Sequence, residues 1–173
     1  MKPFSTMVLL RSPPDRLFAI MRDRLPEIAA ALPDIAGIEE VERAPGSKGL
    51  RLVNRWEAGQ AVPKFLQGKL GTERIVWMDH AVWSNEDTRC DWSITPLIGD
   101  GAIECRGTTR FEPAMAGRGS RAMFGGTLAI APDFIASLVG PLQGPVTALV
   151  EAIATTIIPA NFRAVAEAAA RLD

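Results

Sequence analysis

One histidine, two cysteines and four tryptophans, with no tyrosine, bound the side-chain chemistry open to this 173-residue chain. The histidine is His80, preceded by Asp79 in an apolar run. Adjacent groups can tune an imidazole. Neighbours in a strand point to opposite faces, however, so Asp79 cannot orient His80 directly through an ideal strand. His80 therefore reads as a surface or structural residue. Cys90 and Cys105 fall on neighbouring candidate strands without a CxxC pattern. A catalytic zinc site usually takes three protein ligands, often several His or Cys. The two thiols read instead as small buried apolar groups, and no metal or other cofactor is expected. There is no GxSxG elbow, and any Ser–His or Cys–His dyad would have to use His80. Gly117-Arg118-Gly119 suits a turn, since no phosphate-binding P-loop motif follows it. Gly125-Gly126 lies within a strand pattern and suggests a bulge or a bend that curves a sheet.

The tryptophans are more informative. Trp56, Trp77, Trp83 and Trp92 all fall in candidate strands, and Trp77 and Trp83 share parity. Large aromatic rings serve first as core, and the wall of a ligand cavity is also core. Arg51, Arg55, Arg74, Arg89, Arg106 and Arg110 fall mostly on the opposite, wet parity. Glu57, Glu73, Asp91, Glu104 and Glu112 are their expected cross-strand partners, each pair contributing about 0.2–1 kcal/mol.

These residues need elements to hold them. Phe4 to Leu10 reads as a strand. Ser12 is placed to cap a helix opened by Pro13 and Pro14, with Leu17, Phe18 and Met21 on one face. Ile28 to Leu32 makes a second short helix. Ile38 to Arg43 is a strand and Ala44-Pro45-Gly46-Ser47 a turn. Leu50, Leu52, Asn54 and Trp56 then alternate with Arg51, Val53, Arg55 and Glu57, a period of two. Further strands are expected at Thr72 to Trp83, Arg89 to Pro96, Ile103 to Glu112 and Ser120 to Ile130. Gly99-Asp100-Gly101 signals a hairpin. One apolar and one polar face per strand fits an antiparallel sheet with a wet side, and its apolar side must be covered. The cover is a C-terminal helical pattern from Pro145 through Val146, Leu149, Val150, Ile153, Ile157 and Ile158, continuing past Pro159 to Phe162, Val165, Ala169 and Leu172.

The order strand, two helices, about six strands, long apolar helix resembles the helix-grip fold of the START-like superfamily, which includes polyketide cyclase-like proteins. The run Trp77-Met78-Asp79-His80-Ala81-Val82-Trp83, the Asp100-Gly101 hairpin and Ile158-Pro159-Ala160-Asn161 carry the local likeness. The resemblance implies one α+β domain over residues 1–173, a curved antiparallel sheet wrapped around the C-terminal helix. It also implies a cavity between them for a lipid, sterol or polyketide-like ligand. Parity assigns its wall to Leu52, Trp56, Trp92, Ile94, Cys105 and Phe111 from the sheet. Leu149, Ile153 and Ile157 come from the helix, and Asn54 and Thr109 supply polar orientation.

A net charge of −1 gives no general attraction to nucleic acid. The uncharged stretch 134–150 is broken by Gly and Pro and is short for a membrane span, and the N-terminus lacks a full signal-peptide pattern. A cytoplasmic protein is expected. Residues 61–70 place Lys64 and Lys69 beside Phe65, Leu66 and Leu70. They read as a docked loop with solvated lysines; the resemblance implies a lid at the cavity mouth, and transient contact to an anionic membrane surface is a further alternative. The leading function is noncatalytic binding of a small hydrophobic molecule. The rivals are a cyclase or dehydratase using Asp79, His80 or Glu104, and a protein-interaction module with a filled core.

Overall fold

Burial alternates along the first strand, β1 (Lys2–Leu10), with Phe4, Val8 and Leu10 turned to one side and Ser5, Met7 and Leu9 to solvent. This strand lies at the edge of a single seven-stranded antiparallel sheet, ordered β1-β7-β6-β5-β4-β3-β2. The remaining strands are β2 (Ile35–Gly46), β3 (Gly49–Ala61), β4 (Arg74–Ser84), β5 (Arg89–Pro96), β6 (Ile103–Ala114) and β7 (Gly119–Ile130). This computed structural model describes residues 1–140, 148 and 151–173, and of Val139 and Ile153 only the backbone.

The sheet is covered on one face. Between β1 and β2 lie α1 (Pro14–Asp23), α2 (Leu25–Ile28) and a short 3-10 turn. Helix α1 buries Leu17, Phe18, Ile20 and Met21. Phe18 meets Trp83 edge-on at 5.2 Å and Phe111 at 5.7 Å, closing the sheet end where β3 turns from β2. Further along the chain, a C-terminal helix (Ile158–Arg171) buries Phe162, Val165, Ala166 and Ala169, the i, i+3, i+4, i+7 stripe of a helix lying on a core. Its alanines allow close approach to the sheet. Its one buried aromatic stacks on Phe124 of β7 at 4.3 Å between ring centroids.

Several local expectations are corrected. Ser12 does not cap α1: Pro13 occupies the cap position, and the Ser12 carbonyl accepts a hydrogen bond from the Ser120 hydroxyl instead. The β2–β3 turn is Ser47-Lys48, because Gly46 and Gly49 are already a paired rung. No bulge occurs at Gly125-Gly126, where pairing to both β1 and β6 runs in register. Gly126 answers a close approach, as does Gly107 opposite it. A Cβ at Gly126 would strike the Arg106 carbonyl, and one at Gly107 would lie 2.6 Å from Trp92 Cζ2.

Two helices flank the opposite end of the sheet. Helix α3 (Lys64–Leu70) fills the connection from β3 to β4, and α4 (Pro132–Val139) follows β7. The C-terminal helix Ile158–Arg171 is α5. Lys69 Nζ donates to the Leu138 carbonyl at 2.7 Å, joining α3 to α4. The Phe134 ring sits against Gly99 in the β5–β6 connection, where a Cβ would come within 3.0 Å of it. Within the uncharged stretch that begins at Phe134, the chain is helical as far as Val139, and Gly140 caps that helix. Residues 141–144 lie outside the described residues. No helix among the described residues is long and apolar enough to cross a membrane.

Candidate functional site

Concave-facing side chains form rows that cross the strands. The innermost apolar row runs Leu52, Ala81, Trp92, Gly107, Gly126, Phe4. Two glycines in its middle let the Trp92 ring lie flat across the sheet toward Phe4, 6.1 Å away, with Phe124 stacked at 4.8 Å. The Trp92 indole donates to Thr109 Oγ1 at 3.2 Å. Thr109, expected to orient a ligand, is therefore engaged by the aromatic stack beside it.

The adjacent row is chemically different. It runs Asn54, Asp79, Ile94, Cys105, Leu128 and ends at Lys2 on the far edge. Asn54 is 2% exposed on an otherwise apolar face. Asp79 keeps some accessible surface although protein surrounds it on all sides. Burial pushes its carboxyl up to about 6, and Asn54 and Trp56 offset part of that rise by favouring the charged form. No lysine, arginine or histidine contributes among the described residues. Lys2 is four strand spacings away and pairs with Glu151 at 2.9 Å.

The next row toward α3 and α4 pairs Trp56 with Trp77 and Trp77 with Pro96. The two indoles stack at 5.7 Å with planes 19° apart. Trp56 is 7% exposed, yet its Nε1 has no hydrogen-bond partner among the described residues. It lies close enough to Asp79 to act on the carboxyl but outside hydrogen-bonding geometry. A buried N–H left unpaired costs about 1–3 kcal/mol. The Trp83 indole is the other buried N–H without a partner in the described structure, at the opposite end of the sheet beside Phe18.

Of the wall residues assigned by parity, Leu52, Asn54, Trp56, Trp92, Cys105, Thr109 and Phe111 are buried on the concave face. Ile94 is half-buried there. Phe111 belongs to the aromatic cluster under α1, stacked 6.4 Å from Trp83. Leu149 lies outside the described residues, as does the side chain of Ile153. Ile157 is corrected: it is 56% exposed. Residues Ile153–Ile157 form a π-helical turn ahead of α5, next to Pro159, which has no N–H for the helical ladder. The wider turn sets Ala154 and Pro159, five residues apart, toward the core and turns Ile157 out.

His80 and Glu104 are exposed, so Asp79 alone of the three acid–base candidates is on the concave side. Asp79 was absent from the expected ligand wall. The signal was its parity, shared with Trp77, Ala81 and Trp83. Cys90 and Cys105 are free and buried. They face different partners, Thr109 and Ile94, and burial pushes the Cys105 thiol up to about 11. Among the described residues no three His, Cys, Asp or Glu side chains gather as a metal site.

A shallow depression of about 700 Å³ lies on the convex side, lined by Arg55, Glu57, Gln67, Thr72, Arg74 and Val76. Glu57 bridges Arg55 and Arg74 there at 3.4 and 3.8 Å. Its polar, open lining does not suit a hydrophobic ligand, which needs apolar enclosure.

No family model matches the chain, and no curated protein matches it in sequence. Solved structures do match in shape. TTHA0849 from Thermus thermophilus aligns with TM-score 0.66 at 19% identity, covering 99% of each chain. The Zhui aromatase/cyclase from Streptomyces sp. R1128 aligns with TM-score 0.68 at 14% identity, covering 99% of this chain and 92% of that one. A START superfamily protein from Mycobacterium smegmatis aligns over 100% of both chains with TM-score 0.58 at 11% identity. The shared features are the curved antiparallel sheet and the long C-terminal helix against it. The chain has the helix-grip fold that these structures share.

Proposed function

We propose that the chain, acting as one domain, binds a small hydrophobic ligand between the concave face of the sheet and the C-terminal helix. The observation that carries this reading is the uneven filling of that face. Toward α1 the side chains are packed tight: Leu52, Ala81, Trp83, Cys90 and Ala122 are each at most 6% exposed. Toward α3 and α4, Trp77, Asp79, Ile94, Ile103 and Ile130 keep accessible surface, although they belong to the concave face of the same sheet. Apolar walls with a few convergent polar groups are the usual make-up of a ligand site. Burial of apolar ligand surface would supply most of the affinity.

A gentle purification followed by native mass spectrometry tests this. The expected result is a co-purifying small molecule, or uptake of an added aromatic, sterol or fatty-acid probe at one-to-one stoichiometry. A protein that stays empty and takes up none of these probes sinks the reading and favours an interaction module with a filled core.

A second reading has one observation behind it. Asp79 is an enclosed carboxyl whose raised pKa suits proton transfer near neutral pH. A cyclase or dehydratase acting on a hydrophobic substrate would use it as the acid–base group. Turnover of such a substrate that is lost in Asp79→Asn, with binding retained, would establish that activity.

A further inference from the structure

The ligand reading leaves open what the ligand must carry, and the Asn54–Asp79 row answers it. A carboxyl enclosed by protein has no cationic partner among the described residues. Beside it, the Trp56 indole N–H is buried and has no partner there. Protein interiors rarely leave such groups unmatched. Among the described residues, a carboxyl without a counter-charge on β4 thus stands near an indole N–H without a hydrogen-bond partner on β3, at the part of the concave face that keeps accessible surface.

The donor–acceptor inventory decides the chemistry. An ammonium group offers only donors, so it would satisfy Asp79 and leave the Trp56 N–H bare. A carboxylate or phosphate offers acceptors and would meet Asp79 as a like charge. A hydroxyl both donates and accepts. One hydroxyl can donate to the Asp79 carboxylate and accept from Trp56 Nε1–H. The stacked Trp56 and Trp77 rings, 19° from parallel, present flat apolar surface beside that point, which suits a planar body.

We propose that Asp79 and the Trp56 indole N–H form the polar end of the ligand site, and that the ligand is a flat hydrophobic molecule with a hydroxyl group at its buried end. This rests on the ligand-binding reading above and adds the functional group and the residues that select it. Asp79 contacts the ligand hydroxyl, and Trp56 fixes the orientation of that hydroxyl.

The test compares two probes of nearly equal shape, 2-naphthol and 2-methylnaphthalene, by calorimetric titration of the intact protein. Wild type is expected to bind 2-naphthol about tenfold more tightly, the scale of one hydrogen bond to a charged group. In Asp79→Leu the preference is expected to vanish while 2-methylnaphthalene binding persists. In Trp56→Phe, which keeps the ring and removes the N–H, the preference is expected to fall by about threefold, as for one neutral hydrogen bond. Thermal midpoints check that both variants fold, and Asp79→Ala, which likewise removes the acceptor, serves as the replacement if Asp79→Leu does not. Equal affinity for the two probes in wild type, or an unchanged preference in the Asp79 variant, overturns the polar anchor while leaving ligand binding standing. Binding of neither probe by wild type overturns the ligand-binding reading together with the anchor.

Discussion

Asp79 lies directly opposite Asn54 in the β3–β4 register, so two polar side chains share one rung on the apolar face of the sheet. Their strand neighbours on that face are Leu52, Trp56, Trp77 and Ala81. An apolar pair would pack the same rung without any desolvation cost. The polar rung therefore weakens the folded protein locally, a pattern expected of a site kept for use rather than for stability.

The first prediction follows from that cost. Burial raises the Asp79 carboxyl from 3.8 to about 6 in the folded state. The folded protein thus holds this proton to higher pH than the unfolded chain. The associated stability is fully present below pH 3.8 and is lost as pH rises through about 6. The Cys90 and Cys105 thiols, the titratable neighbours on the same face, are both pushed up by burial and stay neutral across this window. Asp79→Asn should stabilise the protein by about 1–3 kcal/mol at pH 7.5, with no gain at pH 3.5. Urea denaturation of both proteins at the two pH values checks it. An equal difference at both pH values would remove the burial explanation.

At Gly107 the sheet has no room for a side chain. A Cβ there meets the Gly125 carbonyl and Trp92 Cζ2, the latter at 2.6 Å. Gly107→Ala should cost at least about 2 kcal/mol, since the obstructing atoms include fixed backbone. Its signature should be a changed environment for Trp92, read as altered near-ultraviolet circular dichroism. A neutral substitution would mean that the Trp92 ring does not lie across this glycine.

The grip itself depends on Phe162, which is 6% exposed and stacked 4.3 Å from Phe124. Phe162→Ala should lower stability by about 3–5 kcal/mol. Hydrogen exchange should show the loss concentrated in α5 and β7. A uniform loss over all elements would argue against a specific helix–sheet lock.

Ile157 supplies the contrast. The π-helical turn places it 56% exposed, so Ile157→Ser should change stability by less than about 0.5 kcal/mol. Thermal denaturation distinguishes this from the larger penalty that a cavity-wall isoleucine would incur.

The sheet and the C-terminal helix are legible in the sequence because their periods are strong. Leu52, Asn54 and Trp56 are buried on the expected face, and Arg89–Pro96 is strand over the expected residues. Local errors arose where a backbone contact outranked residue preference. Ser12 falls outside the cap position, which Pro13 holds, and its carbonyl accepts from the Ser120 hydroxyl across 108 positions of sequence. Gly126 proved to be a close-approach site because of the Arg106 carbonyl and Gly107 on the neighbouring strand. Ile157 followed an ideal helical period that the turn before Pro159 does not keep. Asp79 was readable from parity, but its meaning needed the cross-sheet row. Only the register places it beside Asn54 and next to the Trp56 indole.

The most direct measurement is a ¹H–¹⁵N spectrum of the four tryptophan indole N–H groups during titration with 2-naphthol, each signal assigned by single Trp→Phe substitution. A ligand in the concave site should move the Trp56 and Trp77 signals strongly and saturably, with Trp92 affected less. Trp83, locked between Phe18 and Phe111 at the packed end, should stay in place. Four unmoved signals, or a shift confined to Trp83, would contradict a ligand site on this face.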